Sequence, residues 1–107
     1  MNIKSLTAKE IAQMQEDDTV VLIDVREPRE FAAERIPGAM LFPLSRFDPN
    51  SIPAEERRKI VLHCAMGGRS AKAVALCQRA GRSDIESHLH GGIGAWKAAG
   101  LPTVKGS

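Results

Sequence analysis

A five-residue apolar run, Lys59-Ile60-Val61-Leu62-His63, ends on Cys64, and the glycine-rich loop beyond it constrains the fold more than any other stretch. From Cys64 the chain passes through Ala65-Met66-Gly67-Gly68-Arg69-Ser70 into an alanine-rich helical pattern that extends from about Ser70 to Ala80. Strand, short loop and helix in this order make one unit of an α/β domain. A side chain at such a junction faces the unpaired N–H groups of the helix's first turn, where the partial positive charge favours an anion. The paired glycines let successive N–H groups turn inward as an anion-holding nest. A free thiol titrates near ~8.5, and electropositive strand-to-helix sites bring it to roughly 3.5–7.5. Each unit is worth about 1.4 kcal/mol in favour of the thiolate. Cys64 therefore reads as a nucleophile.

The residues around Cys64 are read in the same terms. Arg69, a permanent cation rich in donors, adds charge at the mouth of the loop. Ser70 offers two roles, a hydroxyl donor to the sulfur or a cap on the helix. Met66 either brings a polarizable thioether to the pocket or forms a plain apolar rim. Free cysteine is among the most buried residue types, yet Gly67, Gly68 and Arg69 at a strand's carboxyl end argue for an open crevice here. Cys77, more than two turns into the same helix on a face with Ala73, Val74 and Ala80, reads as a small core residue.

The rest of the chain repeats the alternation of strand and helix. Thr7-Ala8-Lys9-Glu10 is a capping box and predicts a helix from about Ala8 to Gln15. Val20-Val21-Leu22-Ile23-Asp24 suits a buried parallel strand. Pro28 sits in the first turn of a short helix through Phe31. The Ile36-Pro37-Gly38-Ala39 turn leads to a short strand at about Met40-Leu41-Phe42. The polar segment 43–58 reads as loop plus a brief helix. Gly81 stops the central helix, Asp84 to Leu89 form another strand, and a last helix starts at Gly91-Gly92 and ends at Gly100. The whole predicts an α/β domain with a mainly parallel sheet, whose ligands bind beyond the carboxyl ends of the strands, where Cys64 lies.

Composition sets the outer limits. The 107 residues, 43% hydrophobic and 26% charged, suit one soluble domain, residues 1–107. No apolar run approaches the ~18 residues of a membrane span, and the residues from Met1 to Thr7 lack a signal-peptide pattern. With only Cys64 and Cys77, no disulfide scaffold is expected, and a reducing, cytoplasmic compartment suits a working thiol. A net charge of +2 mildly favours anionic ligands. Scattered basic residues, one Trp and no Tyr give no reason to expect nucleic-acid binding. His88 and His90 have strand spacing that puts both rings on one face, with Cys64 as a further ligand type. No second cysteine or acidic cluster joins them at zinc-site spacing, so no metal is expected. His63 reads as a polar strand residue rather than a base. Trp96 reads as core.

Three stretches in order carry a likeness over almost the whole chain. They are Leu22-Ile23-Asp24-Val25-Arg26-Glu27-Pro28 with Glu30-Phe31 and Ile36-Pro37-Gly38-Ala39; Cys64-Ala65-Met66-Gly67-Gly68-Arg69-Ser70; and Leu89-His90-Gly91-Gly92 with Trp96 and Gly100-Leu101-Pro102. In these the chain resembles a single-domain rhodanese, a thiosulfate or persulfide sulfurtransferase. Arg35 departs from the pattern, standing where many relatives have histidine. The resemblance implies a three-layer α/β/α domain with a mainly parallel central sheet of about five strands and no cofactor. It also implies a persulfide cycle. Cys64 takes sulfur from thiosulfate or a persulfide donor and passes it to cyanide or a thiol acceptor, including one carried on a protein. The amides of Ala65, Met66, Gly67, Gly68, Arg69 and Ser70 would cradle the terminal sulfur. Asp24, Arg26 and Glu30 would support the framework, with Arg26–Glu30 the expected ion pair and Asp24 supporting the loop.

Two other functions compete. Phosphatases and arsenate reductases of the same architecture place five residues between cysteine and arginine. Here Ala65 to Gly68 make four, a tighter ring matched better to one sulfur than to phosphate. A relay or binding module without turnover is the other alternative, and inactive members of that kind commonly lack the cysteine.

Overall fold

The computed structural model describes residues 2–106. Met1 and Ser107, the ends of the expected single domain, lie outside the described residues. Five parallel strands form the central sheet in the order β1-β6-β5-β2-β4. They are β1 (Lys4–Leu6), β2 (Val20–Asp24), β4 (Met40–Leu41), β5 (Lys59–His63) and β6 (Ser87–Leu89). A small antiparallel pair, β3 (Glu34–Arg35) with β7 (Val104–Lys105), lies beside it. The helices are α1 (Ala8–Glu16), α2 (Pro28–Ala33), α3 (Gly68–Arg79) and α4 (Gly92–Ala98). Among the described residues no helix is long and apolar enough to cross a membrane.

Strand alternation divides the core between the two faces. Ile60, Leu62 and Cys64 pack with Ala73, Val74 and Cys77 of α3. Val61 and Leu22 face the other way, onto Ile11 of α1 and Ile93 and Trp96 of α4. The result is the expected α/β/α layering around a mainly parallel sheet. Each fully buried Leu or Ile contributes roughly 1.5–3 kcal/mol. Trp96, 1% exposed, also donates its indole N–H to the Pro102 carbonyl at 2.8 Å. The α1 capping box forms as expected, with Thr7 and Glu10 exchanging hydrogen bonds.

Several boundaries differ from expectation. The central helix begins at Gly68 rather than Ser70, because Gly67 adopts φ +112 and takes the N-cap position itself. It ends at Arg79, and Ala80 is exposed rather than part of the Cys77 face. The last strand is only Ser87–Leu89, since Ile85 is drawn into the α3 side of the core before pairing begins. Phe42 lies past β4, and segment 43–58 holds two 3₁₀ turns, Leu44–Arg46 and Pro49–Ser51, in place of one brief helix. β1, β3 and β7 were not expected. Each is two or three residues long and exists through its pairing: Ser5 with His88, and Arg35 with Val104. Such short segments carry no periodicity of their own.

Candidate active site

Cys64 is the first residue beyond β5, and the turn into α3 folds back over its sulfur. The Gly67 N–H donates to Sγ at 3.0 Å. The Ser70 hydroxyl, fully buried in the first turn of α3, lies 3.6 Å from Sγ. Ser70 is thus not the helix cap. Its hydroxyl oxygen also lies 3.1 Å from the Gly67 carbonyl, which accepts from the Ala71 N–H at 3.1 Å.

The opposite side of the loop is tied to α4. The N–H groups of Ile93 and Gly94 donate to the carbonyls of Cys64 and Ala65 at 2.9 and 3.1 Å. With those carbonyls drawn toward α4, loop amides are left turned toward the sulfur. The approach is close enough that a Cβ at Gly92 would overlap the carbonyls of both Cys64 and Ala65. Sequence reading took the paired glycines only as a helix start. Contact with a loop some 27 residues upstream in the chain leaves no local signal.

The sulfur is less accessible than the sequence suggested. Cys64 is 1% exposed, so the expected open crevice is corrected to a thiol beneath its own loop, because the groups that hydrogen-bond it also cover it. Burial by itself raises the thiol. Hydrogen bonds from the Ser70 hydroxyl and from the amides of Ser70, Gly67 and Met66 outweigh that and leave it below the ordinary value. Cys77, equally buried but without such donors, is pushed up to about 11 by burial. Met66 is 77% exposed and forms the apolar rim, its thioether beside Gly94. A cavity of about 640 Å³ lined by Val20, Leu22 and Met40 lies against the amino-terminal half of β2, away from the sulfur.

The supporting charges pair differently from expectation. Arg69 makes a two-pronged contact with Glu30, at 2.8 and 2.9 Å, joining α3 to α2. The Arg69 guanidinium holds the Glu30 carboxyl down to about 2. The expected Arg26–Glu30 ion pair is therefore corrected. Arg26 is itself buried and takes the buried carboxylate of Asp24, through Nε at 3.1 Å and Nη2 at 2.8 Å. Its Nη2 also donates to the Glu34 carbonyl at 2.6 Å, tying β2 to β3. A buried guanidinium needs buried acceptors, and i,i+4 spacing on a half-exposed helix supplies none.

Asp24 pairs in register with His63, and alternation places both on the α1–α4 side, opposite Cys64. His63 connects the two faces: Nε2 is 3.5 Å from Asp24 Oδ2, and Nδ1 is 3.2 Å from the Cys64 carbonyl. Burial holds its imidazole below the ordinary range against the pull of Asp24. Neither nitrogen points at the sulfur. His88 and His90 do not share one face: His88 is 9% exposed beneath α3, whereas His90 lies past β6 and is exposed. The contact that sequence reading missed is between His88 Nδ1 and the Ser70 hydroxyl, at 2.8 Å.

A parallel sheet that delivers a thiol from a strand end into the hydrogen-bonded first turn of a helix defines a class of loop-cradled cysteine domains. Residues 7–99 match the model of the rhodanese-like domain, and the chain belongs to that family. It is 45% identical over 101 residues to an uncharacterised protein of Synechocystis sp., covering 94% of this chain and 56% of that protein. The chain thus spans little more than half the length of that relative. It is 31% identical to a protein of Allochromatium vinosum named as a sulfurtransferase, across 95% of both chains. The crystal structure of a rhodanese-related protein from Thermoplasma volcanium matches with a TM-score of 0.78 at 29% identity, over 94% of this chain and 97% of that one.

Proposed function

We propose that the chain is a sulfurtransferase that carries sulfur as a Cys64 persulfide. One observation carries the reading: a buried thiol at a strand-to-helix turn meets donors converging on Sγ, the Gly67 N–H at 3.0 Å and the Ser70 hydroxyl at 3.6 Å. The Cys64 thiolate attacks the outer sulfur of thiosulfate or of a persulfide. A new S–S bond forms as the donor's S–S bond breaks, and sulfite, or the donor thiolate, leaves with the bonding pair. Negative charge then resides on the outer sulfur of Cys64-S-S⁻, where amides of the loop from Ala65 to Ser70 stabilise it. Cyanide or a thiolate acceptor attacks that outer sulfur, and Cys64 departs as the thiolate that began the cycle.

Arg69 and Glu30 fix the loop's position between α3 and α2, and Asp24 with Arg26 fixes the end of β2. The four-residue spacing supports sulfur transfer over the phosphatase reading. The exposed Met66 suits an acceptor thiol carried on a protein, with a reducing, cytoplasmic setting. Residues 1–107 act in this reading as one domain. The test is intact mass after thiosulfate. Wild type and Cys77→Ser gain about 32 Da, one sulfur, removed by cyanide or reductant, and Cys64→Ser gains nothing. Sulfur uptake by Cys64→Ser, or efficient hydrolysis of an aryl phosphate by a wild type inert to thiosulfate, would end the proposal.

A further inference from the structure

Ser70 carries one hydroxyl proton and has three polar neighbours. Its Oγ is 2.8 Å from His88 Nδ1, 3.1 Å from the Gly67 carbonyl and 3.6 Å from Cys64 Sγ. The Gly67 oxygen only accepts, and so does a Cys64 thiolate. If Nδ1 were bare, the single hydroxyl proton would be contested by the buried nitrogen and the sulfur, the Gly67 carbonyl already accepting from the Ala71 N–H at 3.1 Å. If Nδ1 carries the ring proton, it donates to Ser70 Oγ, and the hydroxyl proton is released to the sulfur, the Gly67 carbonyl having its own donor in the Ala71 N–H. The other end of the ring fits the same tautomer. Nε2 lies 3.3 Å from the Ser5 hydroxyl on β1, which can donate to a bare nitrogen. The hydrogen bonds then run in one direction: Ser5 to His88, His88 to Ser70, Ser70 to the thiolate.

We infer that His88 is a positioning residue for Cys64, whose Nδ1–H orients the Ser70 hydroxyl so that Ser70 donates its proton to the thiolate. The role rests on Cys64 being the working nucleophile, as in the sulfurtransferase reading. His88 acts through Ser70 and does not touch the sulfur. Its other neighbours carry no charge that would impose a different state: Ser5 on β1, Leu62 on β5, and Gly67, whose Cβ position is 3.8 Å from the ring. His90, two residues on along its own strand direction, is the titratable group that acts on it, alongside Cys64 across Ser70. Burial, and then His90, hold His88 below the ordinary imidazole range. Near neutral pH the ring is therefore neutral with one N–H, and which nitrogen bears it decides what Ser70 can do.

The pH dependence of Cys64 alkylation by iodoacetamide tests this without requiring any sulfur transfer. His88→Leu, which has no donor, should raise the apparent thiol pKa by about one unit, roughly a tenfold loss of thiolate below that pKa. Ser70→Ala should raise it at least as far. The double variant should match Ser70→Ala alone, because a residue acting only through Ser70 has nothing left to act on. His88→Asn retains an amide N–H donor and should restore the wild-type value to within a few tenths. Independently of any variant's folding, ¹⁵N NMR of the wild type should find the Nδ1–H tautomer at His88. An Nε2–H tautomer, an unshifted thiol in a folded His88→Leu, or additive effects in the double variant would overturn the role. A wild type that takes up no sulfur while His88→Leu still shifts the thiol would overturn the sulfurtransferase reading and leave the positioning role standing.

Discussion

Cys64 and Cys77 are the same residue at nearly the same burial, 1% and 0% exposed, and their thiols move in opposite directions. Burial acts on both; donors aimed at the sulfur act only on Cys64. What distinguishes the two is the set of directed N–H and O–H groups around the Cys64 sulfur. The same attention to partners applies to Glu30. Its pairing with Arg69 is part-exposed, at 30% and 36%, so Glu30→Gln should cost only about 0.5–1 kcal/mol at neutral pH. The pH dependence comes from the sign of the shift. The folded carboxyl is lowered from 4.5 to about 2, so its stabilising contribution is complete above 4.5 and fades as pH falls toward 2. Urea midpoints of wild type and Glu30→Gln should therefore differ by a constant amount above about pH 5 and converge in acid. A gap that persists undiminished at pH 2 would show that the variant acts by something other than that charge.

At the scale of elements, the Cys64 loop is held between two helix beginnings. The turn into α3 supplies the Gly67 N–H, and the first turn of α3 the Ser70 hydroxyl, to the sulfur, while α4 draws the Cys64 and Ala65 carbonyls the other way. Gly92 makes the second contact possible, with φ +62 and no room for a Cβ. Gly92→Ala should cost about 2 kcal/mol or more, from the left-handed backbone and the displaced loop together. Its Cys64 thiol should also move back toward the ordinary value. Gly100→Ala is the control, since it has a comparable φ of +78 but open space around its Cβ. It should lose stability alone, with alkylation of Cys64 unchanged. If Gly92→Ala behaves like Gly100→Ala, α4 does not set the loop.

The molecule as a whole is built on one central sheet with a separate apolar layer on each face. Leu62 belongs to the α3 side, while Trp96, the single tryptophan, reports from the α1–α4 side. Leu62→Ala should cost about 2–5 kcal/mol by leaving a cavity under α3. Because the strands are common to both layers, Trp96 fluorescence should unfold in urea at the same lowered midpoint as far-ultraviolet circular dichroism. A Trp96 transition that stays at the wild-type midpoint would mean that the two faces unfold independently.

The long apolar strands, the Thr7 cap and the cysteine loop were legible in the sequence because each is a local signal: a run, a box, or a pair of glycines before a helical pattern. Those signals determined the α/β class and the parallel sheet, and they singled out Cys64 rather than Cys77 as the candidate nucleophile. Tertiary structure alone decided what each polar group pairs with. Arg26 chose Asp24 over Glu30 because its guanidinium is buried and needs buried acceptors, and Glu30 was left for Arg69, 39 residues away. The short strands β1, β3 and β7 exist only through their partners. His88 gave no sign of its place beside Ser70, since one histidine on a strand looks alike whether it faces a metal, solvent or a hydroxyl. Periodicity specifies which face a side chain takes, but hydrogen-bond partners across a sheet depend on register and helix placement, which form only when distant segments pack.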